Sequence, residues 1–568
     1  GDLNAVLKIA GVAVPGLPSQ WNSTLINGTR LPTAEEETTS RATAFDFFPS
    51  ELIEQVIVAK AITPDMEGDA IGGAVNFVTP TAPEERMFQV NAGGVYSEKA
   101  GKFGGLFSAT YGARFGADDK FGFMVAGTYY ARHWATDNYE PRRGGDAIGI
   151  SRLELRDYTG LRETIGINAA GEYRFDDGGK LYFRGIYGSL TDDETHYKHR
   201  MNFASNRVEV QHIFNTLITQ LKGGEVGGVH MPGGEGGAQF DWKVAHYDNL
   251  FRYGDTPDGR DNSYFVARFD QRNVGYTGLE NRGSGNLAYN EVDGGTDPAG
   301  AVSDHLPDDF RMDPALTRLS NIELYKIRVK ENDRIVAEAN LKLPASDTLE
   351  FKFGGKYRDK VRDAFFEDLF YTWNPAAGPV PTLADFALID QPGRGQFLDE
   401  RKIGSTYSSH FSQVVSEKDM VAWYLANRNN LILDAAGSAT AENGGALGRT
   451  FQLKERTAAG YAMATWKPND QWTLLGGLRL ENTNTKVRGR VLVDGVLEPE
   501  EQSNDYLAWL PSLHVTFRPA SDTNIRFAAT RSFARPDFGD IAPGGAFSEA
   551  DLEFTGGNPQ LKPTYSTN

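Results

Sequence analysis

The residues that could do metal chemistry in this 568-residue chain are few and scattered. The chain has no cysteine, which excludes thiolate metal sites, cysteine nucleophiles and disulfides. His196 and His199 form an isolated His-x-x-His pair without a third ligand, so exposed loop histidines are favoured over a metal site. Aspartates that could bind calcium lack EF-hand spacing, and hydrated loops are the favoured interpretation. They are Asp255, Asp258, Asp261, Asp293 and Asp297. We therefore predict no metal and no cofactor.

Two glycine-rich stretches could in principle hold a phosphate. Neither Gly72-Gly73 nor Gly233–Gly237 is followed by the Lys-Ser or Lys-Thr that a phosphate loop requires. We expect Gly72 and Gly73 to allow close approach between backbones instead. No Ser-His-Asp or paired-carboxylate arrangement is local enough to indicate catalysis, so we predict that the protein is not an enzyme. The net charge of −18 argues against a nucleic-acid binder, because phosphate binding needs a basic face.

The apolar residues indicate which elements must position any site. No run of 18 apolar residues occurs, which argues against a transmembrane helix. From about Arg86, apolar and polar residues alternate with a period of two. Within Phe103–Phe115, odd positions such as Phe107 are apolar or aromatic, and even positions such as Ser108 are small or polar. This pattern is typical of a transmembrane β-strand with lipid on one face and water on the other.

Short turns alternate with long polar stretches along the chain. The turns include GADDK at 116–120, DDGGK at 176–180 and PASDT at 344–348 and 519–523. The long stretches are predicted to be loops and cover about 131–161, 190–206, 250–330, 360–455 and 484–506. Such asymmetry is typical of an outer-membrane barrel. A soluble β-sandwich or propeller is the alternative, but its outer faces would rarely carry complete aromatic rows.

Residues 1–80 have a different pattern, which predicts a small mixed α/β unit. Asn27-Gly28 between two extended runs predicts a hairpin over Ser23–Pro32. Short helices are predicted after Asp2 and from Pro49, and strands are predicted over 55–62 and 71–79. About thirteen strands then follow between 86 and 536. Because an open sheet edge cannot face hydrocarbon, further strands are expected after residue 568.

Two distant parts of the chain resemble the TonB-dependent receptor family. Phe45–Thr79, which ends in AIGGAVNFVT, is similar to the core of the family's plug domain. Asn524–Pro543 and Gly557–Asn568 are similar to its barrel signature, and Gly476–Thr483 fits a family strand. The resemblance implies a mainly β fold in which a plug domain (1–80) fills a large antiparallel transmembrane β-barrel (86–568). The family barrel has about 22 strands.

The same resemblance implies energised import of a scarce bulky solute across the bacterial outer membrane. The solute would be an oligosaccharide or a ferric siderophore. The implied partners are the TonB–ExbB–ExbD energy-coupling complex and outer-membrane lipid with lipopolysaccharide, with long loops extracellular and short turns periplasmic. The TonB-contacting segment is not recognisable, and Gly11–Ser19 is shorter than its family counterpart, so coupling residues are not assigned. A passive porin or adhesin is the alternative, and an outer-membrane hydrolase is the third.

The import hypothesis predicts two groups of site residues. Aromatic faces stack on sugar rings and arginine binds anionic chelates, so the plug apex and loop aromatics are predicted ligand contacts. These are Trp21, Asn22, Arg30, Trp134, Tyr139, Trp373 and Trp423. Polar contacts should hold the plug against the wall. The candidates are Arg114, Lys352, Lys356 and Arg358 in the barrel, and Glu54, Asp65, Glu67, Asp69, Gly72 and Gly73 in the plug. The alternatives are aromatic residues that only pack and charges that are simply hydrated.

Overall fold

The computed structural model describes most of the chain. The described residues are 21–43, 49, 52–143, 149–234, 236–253, 263–281, 287–290, 306–307, 309–390, 413–548 and 553–568. The helix predicted after Asp2 lies outside them, as do residues 50 and 51 of the helix predicted from Pro49. Within the described residues, no helix has both the length and the apolar character needed to cross a bilayer.

Strands dominate the described structure and are numbered in chain order. They are β1 Asn22–Ile26, β2 Thr29–Arg30, β3 Gln55–Ala59, β4 Gly73–Val78, β5 Met87–Ser97, β6 Lys102–Phe115, β7 Phe121–Arg143, β8 Gly149–Arg174, β9 Lys180–Asn202, β10 Arg207–His230, β11 Gln239–Tyr253, β12 Tyr264–Arg272, β13 Glu280–Asn281, β14 Leu287–Asn290, β15 Arg318–Ser346, β16 Leu349–Trp373, β17 Leu388–Asp390, β18 Gln413–Val415, β19 Leu431–Leu433, β20 Phe451–Asn469, β21 Trp472–Val493, β22 Val496–Ala520, β23 Thr523–Ala534, β24 Gly545–Ser548, β25 Glu553–Gly556 and β26 Thr564–Thr567. The α-helices are α1 Glu417–Asn427 and α2 Phe538–Ile541. Short 3-10 turns cover Ala117–Asp119, Pro375–Ala377, Leu383–Asp385, Arg428–Asn430 and Leu447–Arg449.

The N-terminal strands form a separate four-stranded sheet in the order β2-β1-β4-β3. The predicted hairpin is present: Leu25 pairs with Arg30, and Asn27 and Gly28 both have positive φ (49° and 79°). Such φ values at both central residues define the type I′ turn that Asn-Gly favours. We call residues 21–79 the plug.

The long strands form an antiparallel barrel around the plug. Strands β11 and β12 together make one wall strand, because both pair with β10 and with β15 in consecutive registers. With this pair counted once, the described residues between 87 and 534 form about thirteen wall strands, which agrees with the number predicted.

The predicted orientation of the wall is confirmed. Phe107 is 52% exposed on the outer surface, whereas its neighbour Ser108 is only 5% exposed on the inner side. The aromatic rings of Phe115 and Phe121 stack on the outer surface, with centroids 5.5 Å apart. Lipid therefore meets an apolar face, while the plug meets the polar face.

Several stretches predicted to be loops are strands, so that part of the prediction is wrong. Strand β7 continues to Arg143, β9 continues to Asn202, and β21 and β22 meet at a tight turn at Asp494-Gly495. The backbone ladder continues past the lipid band, but water or packed loops now cover both faces. Apolar alternation therefore disappears from the sequence although the strand does not end.

The outward face of these strand extensions is covered by extracellular segments. Phe214 and Phe265 point away from the lumen and are buried against Val414, Met420 and Tyr424, which belong to β18 and α1. A second apolar cluster, with Leu153, Met201, Val208 and Phe310 among its members, covers the neighbouring strands. These clusters explain why the extensions carry apolar residues above the membrane.

Arginine at Phe107 is expected to impair barrel assembly, because a charge on the lipid face near mid-membrane costs about 2–4 kcal/mol. Thr110→Arg, on the inner face of the same strand, should be much milder. Heat-modifiable mobility on gels measures the folded fraction. Equal damage from the two substitutions would contradict the inward and outward faces of β6.

Candidate functional site

A row of basic residues along β16 points into the lumen. Side chains alternate along a strand, so Lys352, Lys356, Arg358, Lys360 and Arg362 share one face. This face lies against the plug. We call these five side chains and their acidic and basic partners the charged seam. The plug supplies Arg30, Arg41, Asp65, Glu67 and Asp69; the wall and adjoining residues supply Glu331, Asp333, Lys352, Lys356, Arg358, Lys360, Arg362, Glu455, Glu481 and Arg535.

The lower part of the seam joins β16 to the acidic turn of the plug. Lys352 Nζ lies 2.6 Å from Asp65 Oδ2, and Lys356 Nζ lies 2.7 Å from Glu67 Oε1. Lys356 also donates a 3.1 Å hydrogen bond to the carbonyl of Gly28, at the tip of the plug hairpin. The structure thus brings these predicted barrel and plug residues together.

The upper part of the seam is more deeply buried. Arg358 forms two 2.7 Å hydrogen bonds with Asp333 and donates to the Arg30 carbonyl. Arg362, which is fully buried, donates to Glu331 at 2.9 Å and to the Thr38 carbonyl at 2.7 Å. The side chains of the lower Lys352–Asp65 pair are 26% and 24% exposed, whereas those of Arg362 and Glu331 are 0% exposed. Burial therefore increases along the seam away from the periplasmic turns.

Asp69 joins the plug to the far side of the barrel. Its Oδ2 atom accepts hydrogen bonds from Arg30 (2.5 Å) and Arg535 (2.6 Å), and its Oδ1 accepts one from the Arg535 backbone N–H (3.2 Å). Arg535 also donates to Glu481 at 2.7 Å. Asp69 additionally forms a parallel β-bridge with Phe533. One carboxylate thus ties two arginines from distant parts of the chain.

Arg41 is the plug cation of the seam that lies farthest from the periplasmic turns. Its Nη2 lies 2.8 Å from Glu455 Oε2, and its Nε donates to the Pro536 carbonyl at 2.6 Å. The guanidinium lies 4.0 Å from the centroid of Phe538, which Arg362 approaches to 4.3 Å. Cation–π contacts of this kind are strongest when water is excluded.

The environment keeps Asp69 ionised. Burial alone would raise the pKa of its carboxyl, but Arg30, Arg535 and Arg41 outweigh burial and hold the pKa below its usual value. The pKa of Glu67 is likewise lowered, because Lys356 and Arg358 overcome the effect of burial. Buried charges persist only when such partners are present.

The plug residues predicted to contact ligand are not at an exposed apex, so that placement is wrong. Asn22 and Arg30 are buried within the plug, and Trp21 is half-buried. The hairpin tip faces the wall, where Lys243 Nζ donates a 2.8 Å hydrogen bond to the Asn27 carbonyl. The hairpin therefore serves attachment, and Arg30 pairs with Asp69.

The predicted loop aromatics separate into two groups. Trp134 faces the lumen and donates to Asp192 Oδ1 at 3.0 Å. Trp373 and Trp423 stack with centroids 6.0 Å apart and pack on the outward-facing apolar cluster, away from the lumen, and their ligand contact stays a prediction. Both side chains pack within the segments that cover the outer surface of the barrel. Tyr139 lies in β7, but its side chain is outside the described structure.

The remaining plug–barrel candidates differ in placement. Arg114 pairs with Glu172 of the wall, lies 3.4 Å from Glu84 and donates to the Ala82 carbonyl, just after the plug. Glu54 is exposed, and among the described residues it forms no ion pair with the wall. At Gly73 (φ 116°) an added Cβ would lie 2.6 Å from the Ala59 carbonyl oxygen, which fits the predicted close approach. The Gly72 N–H donates to the Trp21 carbonyl at 3.0 Å.

The predicted exposed loop histidines are buried strand residues, so that interpretation is also wrong. His196 and His199 lie in β9, and His196 stacks on Tyr158 with ring centroids 3.7 Å apart. Within the described ranges, no cluster of His, Cys, Asp or Glu is suited to a metal ion. The candidate calcium ligands Asp255, Asp258, Asp261, Asp293 and Asp297 lie outside those ranges.

Eight of the fifteen seam residues were not predicted from the sequence. The missed residues are Arg41, Glu331, Asp333, Lys360, Arg362, Glu455, Glu481 and Arg535. A signal was present for some of them. Arg535 and Glu481 lie inside the two segments that resemble the family, and Arg362 continues the even-numbered row of Lys356 and Arg358.

Asp69→Asn is expected to loosen the plug, because it leaves Arg30 without a buried counter-charge and breaks the ion pair between the plug and Arg535. Breaking such a pair costs about 3–5 kcal/mol. Hydrogen–deuterium exchange should become faster at residues 29–43 and 64–79. Asp522→Asn, in the exposed turn between β22 and β23, is the matched control and should leave the exchange unchanged.

The pH dependence of plug exchange tests the same contact of Asp69. A carboxylate with a lowered pKa contributes its full stabilisation above its ordinary pKa of about 3.9, and loses it as the pH falls toward the lowered value. Plug exchange, corrected for intrinsic rates, should therefore stay constant above about pH 4 and rise below it. A smaller rise is expected in Asp69→Asn. Identical exchange in this variant and the wild type would contradict the role of Asp69.

Comparison with known proteins identifies the family. A family model described as TonB dependent receptor-like, beta-barrel matches residues 268–568. A comparison with curated proteins finds no match. The siderophore receptor PiuA from Acinetobacter baumannii is 12% identical with a TM-score of 0.51, over 100% of this chain and 66% of that chain. The ferric yersiniabactin uptake receptor FyuA from Yersinia pestis is 10% identical with a TM-score of 0.46, over 96% of this chain and 59% of that chain.

The chain spans less than two thirds of the length of either receptor, and the similarity to PiuA is one of fold. The family model, in contrast, covers more than half of this chain. This protein therefore belongs to the TonB-dependent receptor family of outer-membrane β-barrel proteins.

Proposed function

We propose that this protein imports a scarce, bulky solute across the outer membrane with energy delivered through the TonB–ExbB–ExbD complex. The observation that carries this proposal is the charged seam, which holds a folded plug inside the barrel. A passive porin needs an open lumen and has no use for such an attachment. An adhesin needs neither the lumen nor the plug.

Energy from outside the barrel is needed because opening the seam has a large free-energy cost. Separating Asp69 from Arg535, or Arg41 from Glu455, leaves buried charges without these partners. Each uncompensated charge costs several kcal/mol until water reaches it. Binding of a solute from outside supplies contacts only at the extracellular face, so a pull from the periplasm has to do the remaining work.

The solute is either an oligosaccharide or a ferric siderophore. Trp134 and Tyr158 face the lumen with ring centroids 6.4 Å apart, and Tyr253, Tyr264 and Tyr325 form a second lumen-facing aromatic group. Both groups can stack on sugar rings or on the aromatic rings of a chelate. Trp373 and Trp423 pack on the outward-facing cluster and favour neither solute.

Uptake by a deletion strain tests the proposal. Cells with and without the intact gene are supplied with radiolabelled ferric siderophores or oligosaccharides, with and without a protonophore. Loss of uptake of one solute class is expected in the deletion strain, and the protonophore should abolish uptake by the complemented strain. Uptake that persists without the proton gradient would indicate a passive pore. Breakdown of the solute outside the cell would indicate a hydrolase.

A disulfide between plug and barrel should block transport without blocking binding. The Gly539 N–H donates to the Thr39 carbonyl, and a Cβ built at Gly539 would lie 2.8 Å from the Cβ of Thr39. A disulfide requires about 3.8 Å, so a small shift accommodates Thr39→Cys with Gly539→Cys. The chain has no other cysteine, so the bond formed is unambiguous.

Uptake by this double variant should stop under oxidising conditions and return after reduction, while solute binding to whole cells persists. The single variant Thr39→Cys is the control and should transport under both conditions. Full uptake with the disulfide formed would show that the plug does not leave α2 during transport, contrary to the proposal.

A further inference from the structure

Two groups of aromatic rings lie in the lumen, on the strand extensions above the lipid-facing band. Tyr253, Tyr264 and Tyr325 form one group, with ring centroids 5.4 to 6.3 Å apart. In the other group, Tyr158 stacks on His196 with centroids 3.7 Å apart. Tyr264 also lies within electrostatic reach of Tyr158, so the two groups are neighbours. The faces of tyrosine rings attract cations, because the π-system is negative there.

Two carboxylates lie beside these rings. Glu194 of β9 is within electrostatic reach of Tyr158 and Tyr264, and Glu36 of the plug reaches Tyr253 and Tyr264. Among the residues that the structure describes, neither carboxylate forms an ion pair. The vestibule site, as we name it, consists of Glu36, Tyr158, Glu194, His196, Tyr253 and Tyr264.

The arginines near the vestibule site have partners of their own. Arg162 is bound to Asp192, with Nε 2.9 Å from Oδ2, and Arg268 pairs with Glu323. Arg449 lies over an aromatic ring, 3.6 Å from its centroid. In the described part of this lumen region, five carboxyl groups therefore face three arginines. The carboxyl groups are those of Glu36, Asp192, Glu194, Glu323 and Asp368.

The pKa values of two of these carboxyl groups reflect the shortage of positive charge. Burial and the nearby Asp192 raise the pKa of Glu194 to about 7. Burial and Glu323 raise the pKa of Asp368 to about 7. In the charged seam, by contrast, arginines hold the pKa of the equally acidic Asp69 below its usual value. A cation placed beside Glu194 would favour its ionised form.

His196 adds a second, independent feature. It lies on the same face of β9 as Glu194, its side chain is only 1% exposed, and within the described residues neither ring nitrogen has a hydrogen-bond partner. Buried polar groups normally have such a partner, so this imidazole is available to a ligand. Burial, with Lys198 and Arg156 nearby, holds the pKa of His196 well below its usual value, and the ring is therefore neutral. Those two cations pair with Glu154, one level farther outward.

We propose that the vestibule site binds a protonated amine or quaternary ammonium group of the imported solute. Glu36 and Glu194 supply the negative charge, and the faces of Tyr158 and Tyr264 supply cation–π contacts. Neutral His196 offers an acceptor nitrogen to an ammonium N–H. An anionic group would be repelled by the same carboxylates. This inference rests on the proposed import, and it narrows the solute to an oligosaccharide or chelate that carries an amine.

Binding of choline to the purified full chain in nonionic detergent tests this proposal. The carbon isostere of choline, 3,3-dimethylbutan-1-ol, has the same shape without the charge. Saturation-transfer NMR titrations at about pH 8 should give a dissociation constant of roughly 1 mM for choline, and one at least about tenfold higher for the alcohol. Glu194→Gln should weaken choline binding about tenfold, and Tyr264→Leu about fivefold.

Asp193→Asn is the matched control, because it removes a charge at the adjoining position on the opposite face of β9 and should leave the affinity unchanged. Equal affinity for choline and the alcohol would overturn the proposal. Absence of choline binding, or equal effects of Glu194→Gln and Asp193→Asn, would do the same. Heat-modifiable mobility verifies folding. If Glu194→Gln prevents assembly, Glu36→Gln, which changes an exposed residue, takes its place and is expected to show a similar loss.

Choline binding is measured without the energy-coupling complex, so its outcome is separate from that of the uptake experiment. Failure of choline binding would remove the ammonium site and leave energised import intact. Uptake that persists without the proton gradient would overturn energised import, and choline binding by the purified protein would remain.

Discussion

Buried charge that can be neutralised in only one arrangement is the constraint on which this structure depends. Asp69 of the plug lies between Arg30 and Arg535, and Glu455 of the wall lies beside Arg41 of the plug and Lys360. The desolvation of such ions offsets much of their attraction, so the seam adds little net stability. Its larger effect is on position. Any displacement of the plug leaves several ions unpaired at once. The plug therefore has one well-defined position in the barrel.

The seam also depends on the register of the wall. Phe351, Phe353 and Tyr357 of β16 face lipid, while Lys352 and Lys356 between them face the plug. A slip of one residue would exchange these faces and place lysines in hydrocarbon. The bilayer outside and the plug inside thus select the same register. Attachment of the plug and assembly of the barrel therefore depend on the same strand register.

The features that can be predicted from sequence are those that depend on near neighbours. The hairpin at Asn27-Gly28 and the outward face of Phe107 follow from local turn chemistry and two-residue alternation. The contact between Asp69 and Arg535 joins residues 466 positions apart, and no local pattern encodes it. The affinity of arginine for anions predicts a ligand contact for Arg30, but the anion is Asp69. The end of alternation above the membrane predicts a loop at Trp373, whereas the strand itself continues.

Ion pairs also suit a contact that must open and close repeatedly. Apolar packing keeps its strength until the surfaces part, but the attraction between two charges falls steeply once water enters between them. Lys352 and Asp65 are already partly exposed, whereas Arg41 and Glu455 are buried. The pair nearest the periplasm is therefore the easiest to hydrate. A pull from the periplasm would separate and hydrate the ion pairs one at a time. The free-energy barrier to this stepwise opening is lower than the barrier to separating all the pairs at once.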